Sequence, residues 1–87
     1  MNQAIEIYSR EFDAIFFKLP AAVRTRIIAD IRDLGRHLDS FPHRRLQGRP
    51  EFRLRVGDYR VIYLFDVHRN ELFLSTLGHR RDVYRLW

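Results

Sequence analysis

The first half of the chain carries one strand-type pattern followed by two helix-type patterns. Residues 3–9 (QAIEIYS) send successive side chains to opposite sides, which predicts a short strand. Residues 10–19 place apolar side chains on one helical face, and Ser9 is a suitable N-cap for this first helix. Residues 20–38 predict a second helix, which begins at Pro20. Its apolar stripe steps by four, four, three and four residues, through Val23, Ile27, Ile31, Leu34 and Leu38.

The second half predicts a basic loop and three strands. Residues 39–50 contain two prolines and one glycine among basic side chains, and they form either a functional loop or a connector. Residues 51–56, 59–67 and 71–78 have strand-type patterns. The element order predicts an α+β fold, with an N-terminal strand, a two-helix hairpin and a three-stranded antiparallel meander in one sheet packed against the helices. A chain of 87 residues predicts a single domain over 1–87.

The dipeptide Gly57-Asp58 suits a two-residue turn between the first two strands of the meander. This turn places Arg55 opposite Arg60, and it puts Arg53 on the same face of the sheet. The opposite, helix-facing set is predicted to be Phe52, Leu54, Val56, Tyr59, Val61 and Tyr63. Two arginines directly opposite each other destabilise a sheet by up to about 1 kcal/mol. Either an anion occupies the gap between them, or both side chains extend into water, where screening weakens the repulsion.

The last strand brings the C-terminal segment to the hairpin. With four residues in the preceding turn, Leu72 and Leu74 face the helices. The side chains that would then join the arginine face are Phe73, Ser75, Leu77 and, at the end of the strand, His79. A shift of one residue reverses this assignment. Residues 79–85 predict a turn or short helix, in which Arg80 and Tyr84 lie four residues apart on one side.

The positive charge is concentrated in the second half of the chain. There are 16 Lys+Arg and 11 Asp+Glu, a net charge of +5, and Lys18 is the single lysine. Residues 1–42 hold six cations and six acids, whereas residues 43–87 hold ten cations and five acids. A GC-rich genome also favours arginine, but it would not place the whole excess in one half. The distribution indicates a surface that faces a polyanion, because guanidinium groups bind phosphate through paired hydrogen bonds.

Composition excludes several kinds of site. The chain has no cysteine, which excludes disulfides and thiolate metal sites, and its four histidines lack metal-binding spacing. We therefore expect no metal and no cofactor. No apolar run approaches the roughly 18 residues that span a bilayer, and the N-terminal residues lack the features of a secretory signal. These observations predict a cytoplasmic protein with no membrane partner.

Three motifs in the second half resemble a known family. The segment RLQGRPEF precedes LRVGDYRVIY, and GHRRDVYR follows near the end of the chain. Together they resemble the RelE/ParE superfamily of toxins from type II toxin–antitoxin systems, whose element order is the one predicted above. The resemblance covers nearly the whole chain.

The resemblance implies an activity, a site and partners. RelE-like members are endoribonucleases that cut messenger RNA, commonly on the ribosome, whereas ParE-like members inhibit DNA gyrase. Arg60, Arg80 and Tyr84 look like the catalytic residues of the RelE branch. Arg53 and Arg55 stand where well-known RelE proteins have lysines, one of which is proposed there as a general base. The implied partners are a cognate antitoxin protein and messenger RNA, with the ribosome.

RNA cleavage without a metal needs a base for the 2′-OH proton, donors for the phosphorane charge and an acid for the 5′-oxygen. Arginines suit the second function, but they are too basic to remove protons. His79 is therefore the candidate for proton transfer, although a structural role or a hydrogen bond to phosphate are alternatives. Arg45 and Arg81 complete the expected RNA-binding set. A gyrase inhibitor and a non-toxic nucleic-acid-binding module remain as alternative functions.

Overall fold

Seven elements follow one another along residues 2–83, the part of the chain that this computed structural model describes. They are β1 (Ile5–Tyr8), α1 (Arg10–Phe16), α2 (Ala21–Arg36), β2 (Arg44–Arg45), β3 (Phe52–Val56), β4 (Tyr59–Asp66) and β5 (Glu71–His79). The predicted order of strand, helical hairpin and meander is confirmed. The two-residue strand β2 was not predicted, because two residues carry no periodic pattern. Within residues 2–83, no helix combines the length and the apolar character needed to cross a membrane.

The helices begin and end where local hydrogen bonds dictate. The Ser9 hydroxyl accepts a bond from the Phe12 N–H at 3.0 Å, which confirms the predicted N-cap of α1. α1 is shorter than predicted, because Lys18 and Leu19 donate to carbonyls three residues back, at 3.2 and 3.0 Å. These tighter turns end the α-helix before Pro20 begins the next one.

The five strands form one sheet in the order β1-β5-β4-β3-β2. β1 lies parallel to β5, and the other neighbouring pairs are antiparallel. The turn between β4 and β5 has the predicted four residues, since Asp66 pairs with Glu71. Asn70, the last residue of this turn, has a φ of 52°, which asparagine tolerates better than most residues.

The main core lies between the two helices and one face of the sheet. The predicted apolar stripe of the second helix faces this core. Its buried members are Ile27, Ile31, Leu34 and Leu38, and Val23 is partly buried against them. The predicted helix-facing residues of the hairpin also join this core. Tyr63 is the largest of the completely buried side chains, with 0% exposure.

A bulge in β5 reverses the predicted orientation of its second half. Tyr63 pairs with Leu74, whereas Ile62 pairs with Thr76, so Ser75 is an extra residue with no partner of its own in the pairing. The Ser75 carbonyl accepts a bond from the Ser9 hydroxyl at 2.5 Å, which ties the bulge to the start of α1. The prediction that Leu77 faces the arginines is wrong, because beyond the bulge Leu77 lies in the main core.

A second, smaller apolar cluster covers part of the opposite face of the sheet. It consists of Leu46, Ile62 and Val83, all buried. Val83 reaches this face because a turn after β5 is closed by bonds from the Asp82 and Val83 N–H groups to the His79 carbonyl, at 2.8 and 3.0 Å. The predicted C-terminal turn is therefore confirmed as far as Val83.

Candidate nucleic-acid interface

Two pairs of arginines lie directly opposite each other across neighbouring strands. The predicted register of the hairpin is confirmed, and Arg55 pairs with Arg60 between β3 and β4. On the other side of β3, Arg44 of β2 pairs with Arg53. Because Arg53 and Arg55 are two residues apart on one strand, all four side chains project from the same face of the sheet. Each pair opposes like charges, which destabilises the sheet in the absence of an anion.

No carboxylate in residues 2–83 forms an ion pair with these four arginines. The ion pairs within the described part of the chain join Arg36 to Asp33, Arg49 to Glu51, Arg69 to Glu71 and Arg80 to Asp58. The positive charge of the face is therefore left without a neutralising partner from residues 2–83. An unneutralised group of guanidinium ions attracts a polyanion such as a nucleic-acid backbone.

The four arginines line a cleft of about 510 Å³. The other lining residues are Phe41, Pro42 and Leu54. The cleft opens beside the edge of β3, because β2 pairs with Phe52 and Arg53 alone and ends there. Its walls differ in chemistry, since guanidinium groups face an apolar wall that the loop before β2 contributes.

Arg60 is held at the hairpin turn by backbone carbonyls. Its Nη1 atom donates to the carbonyl oxygens of Gly57 and Tyr59, both at 2.9 Å. Gly57 has a φ of 58°, a conformation that favours glycine, so the sequence of the turn fixes the position of these acceptors. Arg60 consequently reaches the cleft from an anchored position.

Arg80 approaches the same turn from the end of β5. Its N–H donates to the Asp58 carbonyl at 2.7 Å, and its Nε atom lies 3.8 Å from the Asp58 carboxylate. The two side chains are 50% and 68% exposed, so this ion pair adds little stability. Arg80 therefore lies next to the anchor of Arg60, although it is not among the residues that line the cleft.

Two predicted site residues lie away from the arginine face. Arg45 pairs with Phe52 and places its guanidinium carbon 5.2 Å from the centre of the Phe52 ring, on the helix side of the sheet. His79 pairs with Tyr59, with 5.7 Å between ring centres, because the bulge shifts it with Leu77. The expectation that His79 joins the arginine face is wrong, and Arg45, which was expected to bind RNA, lies on the side of the sheet opposite to Arg53 and Arg55.

The remaining predicted residues lie in or beyond the C-terminal turn. Arg81 is exposed in this turn, and its N–H donates to Nδ1 of His79 at 3.2 Å. Tyr84 lies outside the described residues. The structure therefore brings Arg53, Arg55 and Arg60 together, with Arg80 at the adjoining turn.

Sequence reasoning missed Arg44, Phe41 and Pro42 as cleft residues. Arg44 and Arg45 are neighbours in the basic loop, and in a strand only one of two neighbouring side chains faces the cleft. The side is decided by the register of β2 on β3, which the sequence does not reveal. Phe41 and Pro42 have no regular pattern around them, so their position depends on the path of the loop.

A half-buried histidine, His43, fixes that path. Nε2 of His43 donates a hydrogen bond to the Leu38 carbonyl at 2.8 Å, and Nδ1 lies 2.7 Å from the Tyr63 hydroxyl. In the neutral ring, Nδ1 is then an acceptor and the hydroxyl donates to it. The ring also stacks on Phe65, with 3.9 Å between centres. Burial raises the pKa of Tyr63, so its hydroxyl keeps the proton that this bond requires.

Among residues 2–83, no group of three or more His, Cys, Asp or Glu side chains is placed to hold a metal ion.

Comparison with protein families gives one match that spans almost the whole chain. The family model described as ParE toxin of type II toxin–antitoxin system, parDE, matches residues 2–84. No curated protein matches the sequence at a significant level.

Solved structures of RelE toxins share the fold. The RelBE2 toxin–antitoxin complex from Mycobacterium tuberculosis matches with a TM-score of 0.76 and 21% identity, over 94% of this chain and 97% of that chain. The isolated RelE toxin of E. coli matches with a TM-score of 0.74 and 15% identity, over 97% and 99%. The RelB–RelE complex from Methanococcus jannaschii gives 0.71 and 19%, over 93% and 98%. At these identities, the likeness establishes the α+β fold.

Proposed function

The chain belongs to the ParE toxin family, within the RelE/ParE superfamily of type II toxin–antitoxin toxins, and we propose that it is an endoribonuclease that cleaves messenger RNA. The observation that carries this proposal is the cleft with two opposed arginine pairs and no carboxylate partner in residues 2–83. A ribose-phosphate backbone supplies the anions that such a cleft lacks. The RelE structures with the same fold support the choice of RNA over DNA gyrase as the target.

In the proposed reaction, the ribose 2′-OH attacks the neighbouring phosphorus, and the 5′-oxygen leaves. The products are a 2′,3′-cyclic phosphate and a 5′-OH end. Arg60 and Arg80, which both reach the hairpin turn, stabilise the negative charge of the phosphorane. Arg53 and Arg55 bind the flanking phosphates. The 2′-OH loses its proton and the leaving 5′-oxygen gains one, and Tyr84 is the proposed group for this proton transfer, because His79 points to the other side of the sheet.

Induced expression with primer-extension mapping tests this proposal. Wild-type protein should arrest growth and produce cuts in transcripts, and cuts in phase with codons would indicate cleavage on the ribosome. Arg80→Ala should abolish both effects while circular dichroism remains native. Arg36→Ala is the matched control, because Arg36 is an exposed arginine on α2 that pairs with Asp33. Full cleavage by the Arg80 variant would overturn the assignment of its role.

One observation favours gyrase inhibition as a second candidate. Within residues 2–83, the arginine cleft contains no histidine, tyrosine, lysine or carboxylate for proton transfer, and the matching family model is that of ParE. A surface that only binds needs no such group. Measuring plasmid supercoiling and transcript integrity in the same induced culture separates the two functions. Intact transcripts with relaxed or broken DNA would support the second candidate.

We further propose that a cognate antitoxin neutralises the protein in the cytoplasm. The solved M. tuberculosis and M. jannaschii structures are toxin–antitoxin complexes. A net charge of +5, together with the arginine face, suits a partner segment that carries carboxylates. Co-expression with an antitoxin encoded beside the toxin should restore growth, and co-purification should yield a hetero-oligomer.

A further inference from the structure

We propose that the arginine cleft is a nucleotide pocket in which Phe41 stacks against an unpaired base while the arginines hold the phosphates on either side. This inference rests on the proposed function, because it assigns a role within the same RNA-binding surface. It adds Phe41 of the loop to the site, and it defines the substrate as a single strand in which one base is unpaired and unstacked.

The cleft has the two surfaces that a nucleotide requires. Phe41 and Pro42 line one wall, and the four arginines of β2, β3 and β4 line the rest together with Leu54. Proteins that bind single strands combine cationic grooves for the backbone with aromatic rings for the bases. A volume of about 510 Å³ accommodates a nucleotide together with its flanking phosphate. A site for phosphate alone would not need the apolar wall.

Phe41 is held in place before any ligand binds. Its N–H donates to the His37 carbonyl at 2.7 Å, and its carbonyl accepts from the His43 N–H at 2.8 Å. Its ring lies 5.5 Å from the His43 ring, which two hydrogen bonds fix in turn. Such a pre-organised ring loses little conformational entropy when a base stacks on it.

Phe52 offers a matched control. Its ring belongs to the same aromatic cluster, 5.6 Å from His43 and 5.1 Å from Phe65, but it is not among the residues that line the cleft. Replacing either phenylalanine by leucine removes one ring from the cluster and keeps an apolar side chain. Only the change at Phe41 removes a ring from the cleft.

The experiment measures binding of a labelled single-stranded oligonucleotide by fluorescence anisotropy. The probe carries 2′-deoxyriboses, so that the proposed 2′-OH attack cannot destroy it, and a second probe of equal length lacks bases. Phe41→Leu should weaken binding of the base-containing probe by about tenfold. It should leave binding of the abasic probe unchanged, and Phe41→Tyr should restore affinity. Phe52→Leu should bind both probes like the wild-type protein.

The outcomes separate this inference from the proposed function. Equal affinities of the Phe41→Leu and Phe52→Leu variants for the base-containing probe would overturn the stacking role, as would an equal loss for both probes. If wild-type protein binds as expected but leaves all RNA intact, the nucleotide pocket stands and the endoribonuclease proposal fails.

Discussion

The Tyr63 hydroxyl and Nδ1 of His43 lie 2.7 Å apart and connect the centre of the sheet to the loop that forms the apolar wall of the cleft. Tyr63 is completely buried in β4, whereas His43 immediately precedes Arg44 in the chain. The bond therefore couples the packing of the core to the position of a cleft arginine. The loop, for which the sequence leaves open a functional role or a simple connection, is held in place by this contact.

Tyr63→Phe should destabilise the protein by about 1–2 kcal/mol, because it leaves the partly buried Nδ1 of His43 without its donor. Urea denaturation at neutral pH measures this change. A double-mutant cycle with His43→Phe isolates the pair, since the coupling energy should be at least 0.5 kcal/mol, on the order seen for residues in direct contact. A coupling energy near zero would show that the bond contributes nothing to the stability of the loop.

Alkaline pH should lower the stability of the wild-type protein more steeply than that of the Tyr63→Phe variant. Burial raises the pKa of Tyr63 in the folded state above the value of about 10 that tyrosine has in an unfolded chain. Between these values the unfolded chain binds fewer protons, so the free energy of unfolding falls as pH rises above about 10. Burial, with help from the hydrogen bond to Glu6, raises the pKa of Tyr8 in the same direction.

The test is the slope of unfolding free energy against pH between about 9.5 and 11.5. Each tyrosine adds at most about 1.4 kcal/mol per pH unit to the wild-type slope. The slope should decrease in Tyr63→Phe and again in the double variant with Tyr8→Phe. Identical slopes for wild-type and double-variant proteins would contradict the assignment.

Arg55→Glu should stabilise the fold while it weakens nucleic-acid binding. The substitution replaces a like-charge pair with an attractive pair opposite Arg60, which is worth about 0.5–1 kcal/mol at low ionic strength. The gain should disappear near 1 M salt, where screening is strong. Affinity for the single-stranded probe should fall, because one cation of the cleft becomes an anion.

Arg36→Glu provides the charge-matched comparison. It gives the same net charge, but it breaks the exposed pair with Asp33 on α2 and creates a repulsive one. Its stability should therefore fall by a few tenths of a kcal/mol, and its affinity for the probe should fall less than that of Arg55→Glu. If both variants change stability in the same direction, net charge and not the local pair governs the effect.

Alanine substitution measures the cost of backbone strain at two glycines that share a left-handed conformation. Gly57 and Gly48 have φ values of 58° and 72°, so each change to alanine should cost about 1 kcal/mol in backbone strain. A Cβ atom at Gly57 would also lie 3.2 Å from the Arg26 guanidinium, whereas one at Gly48 meets no described atom within 4 Å. Thermal unfolding should show similar losses for both variants, because the exposed Arg26 guanidinium ends a flexible side chain and can move by the few tenths of an ångström required. A clearly larger loss for Gly57→Ala, reversed by adding Arg26→Ala, would show that Arg26 is held in place.

The hairpin could be predicted because its information is local. A two-residue turn at Gly57-Asp58 fixes every pairing between β3 and β4, so the opposition of Arg55 and Arg60 follows from the sequence. The orientation of Leu77 and His79 could not be predicted, because it depends on one extra residue at Ser75. That bulge is held by a hydrogen bond to Ser9, which lies far away in the sequence, so no local sequence pattern predicts this contact.

The cleft was predicted in its charge but not in its shape. Alternation identified Arg53, Arg55 and Arg60, while the choice between Arg44 and Arg45 required the pairing of a two-residue strand. The apolar wall could not be predicted, because the path of the loop depends on the contacts that His43 makes inside the protein. In the sequence, a histidine is equally compatible with a metal ligand or a proton carrier. Tertiary packing, not residue type, decides among these roles.

The seven described residues that line the cleft all lie between positions 41 and 60 of the chain, a stretch of twenty consecutive residues. Assembly of this surface needs only short-range loop closures, so it can form early, before the parallel strand at the N-terminus joins the sheet. Because these residues are contiguous in sequence, the lining of the cleft can be exchanged as one segment. Exchanging this one segment between related chains would replace the whole described lining of the cleft and leave Arg80, at the end of β5, in place.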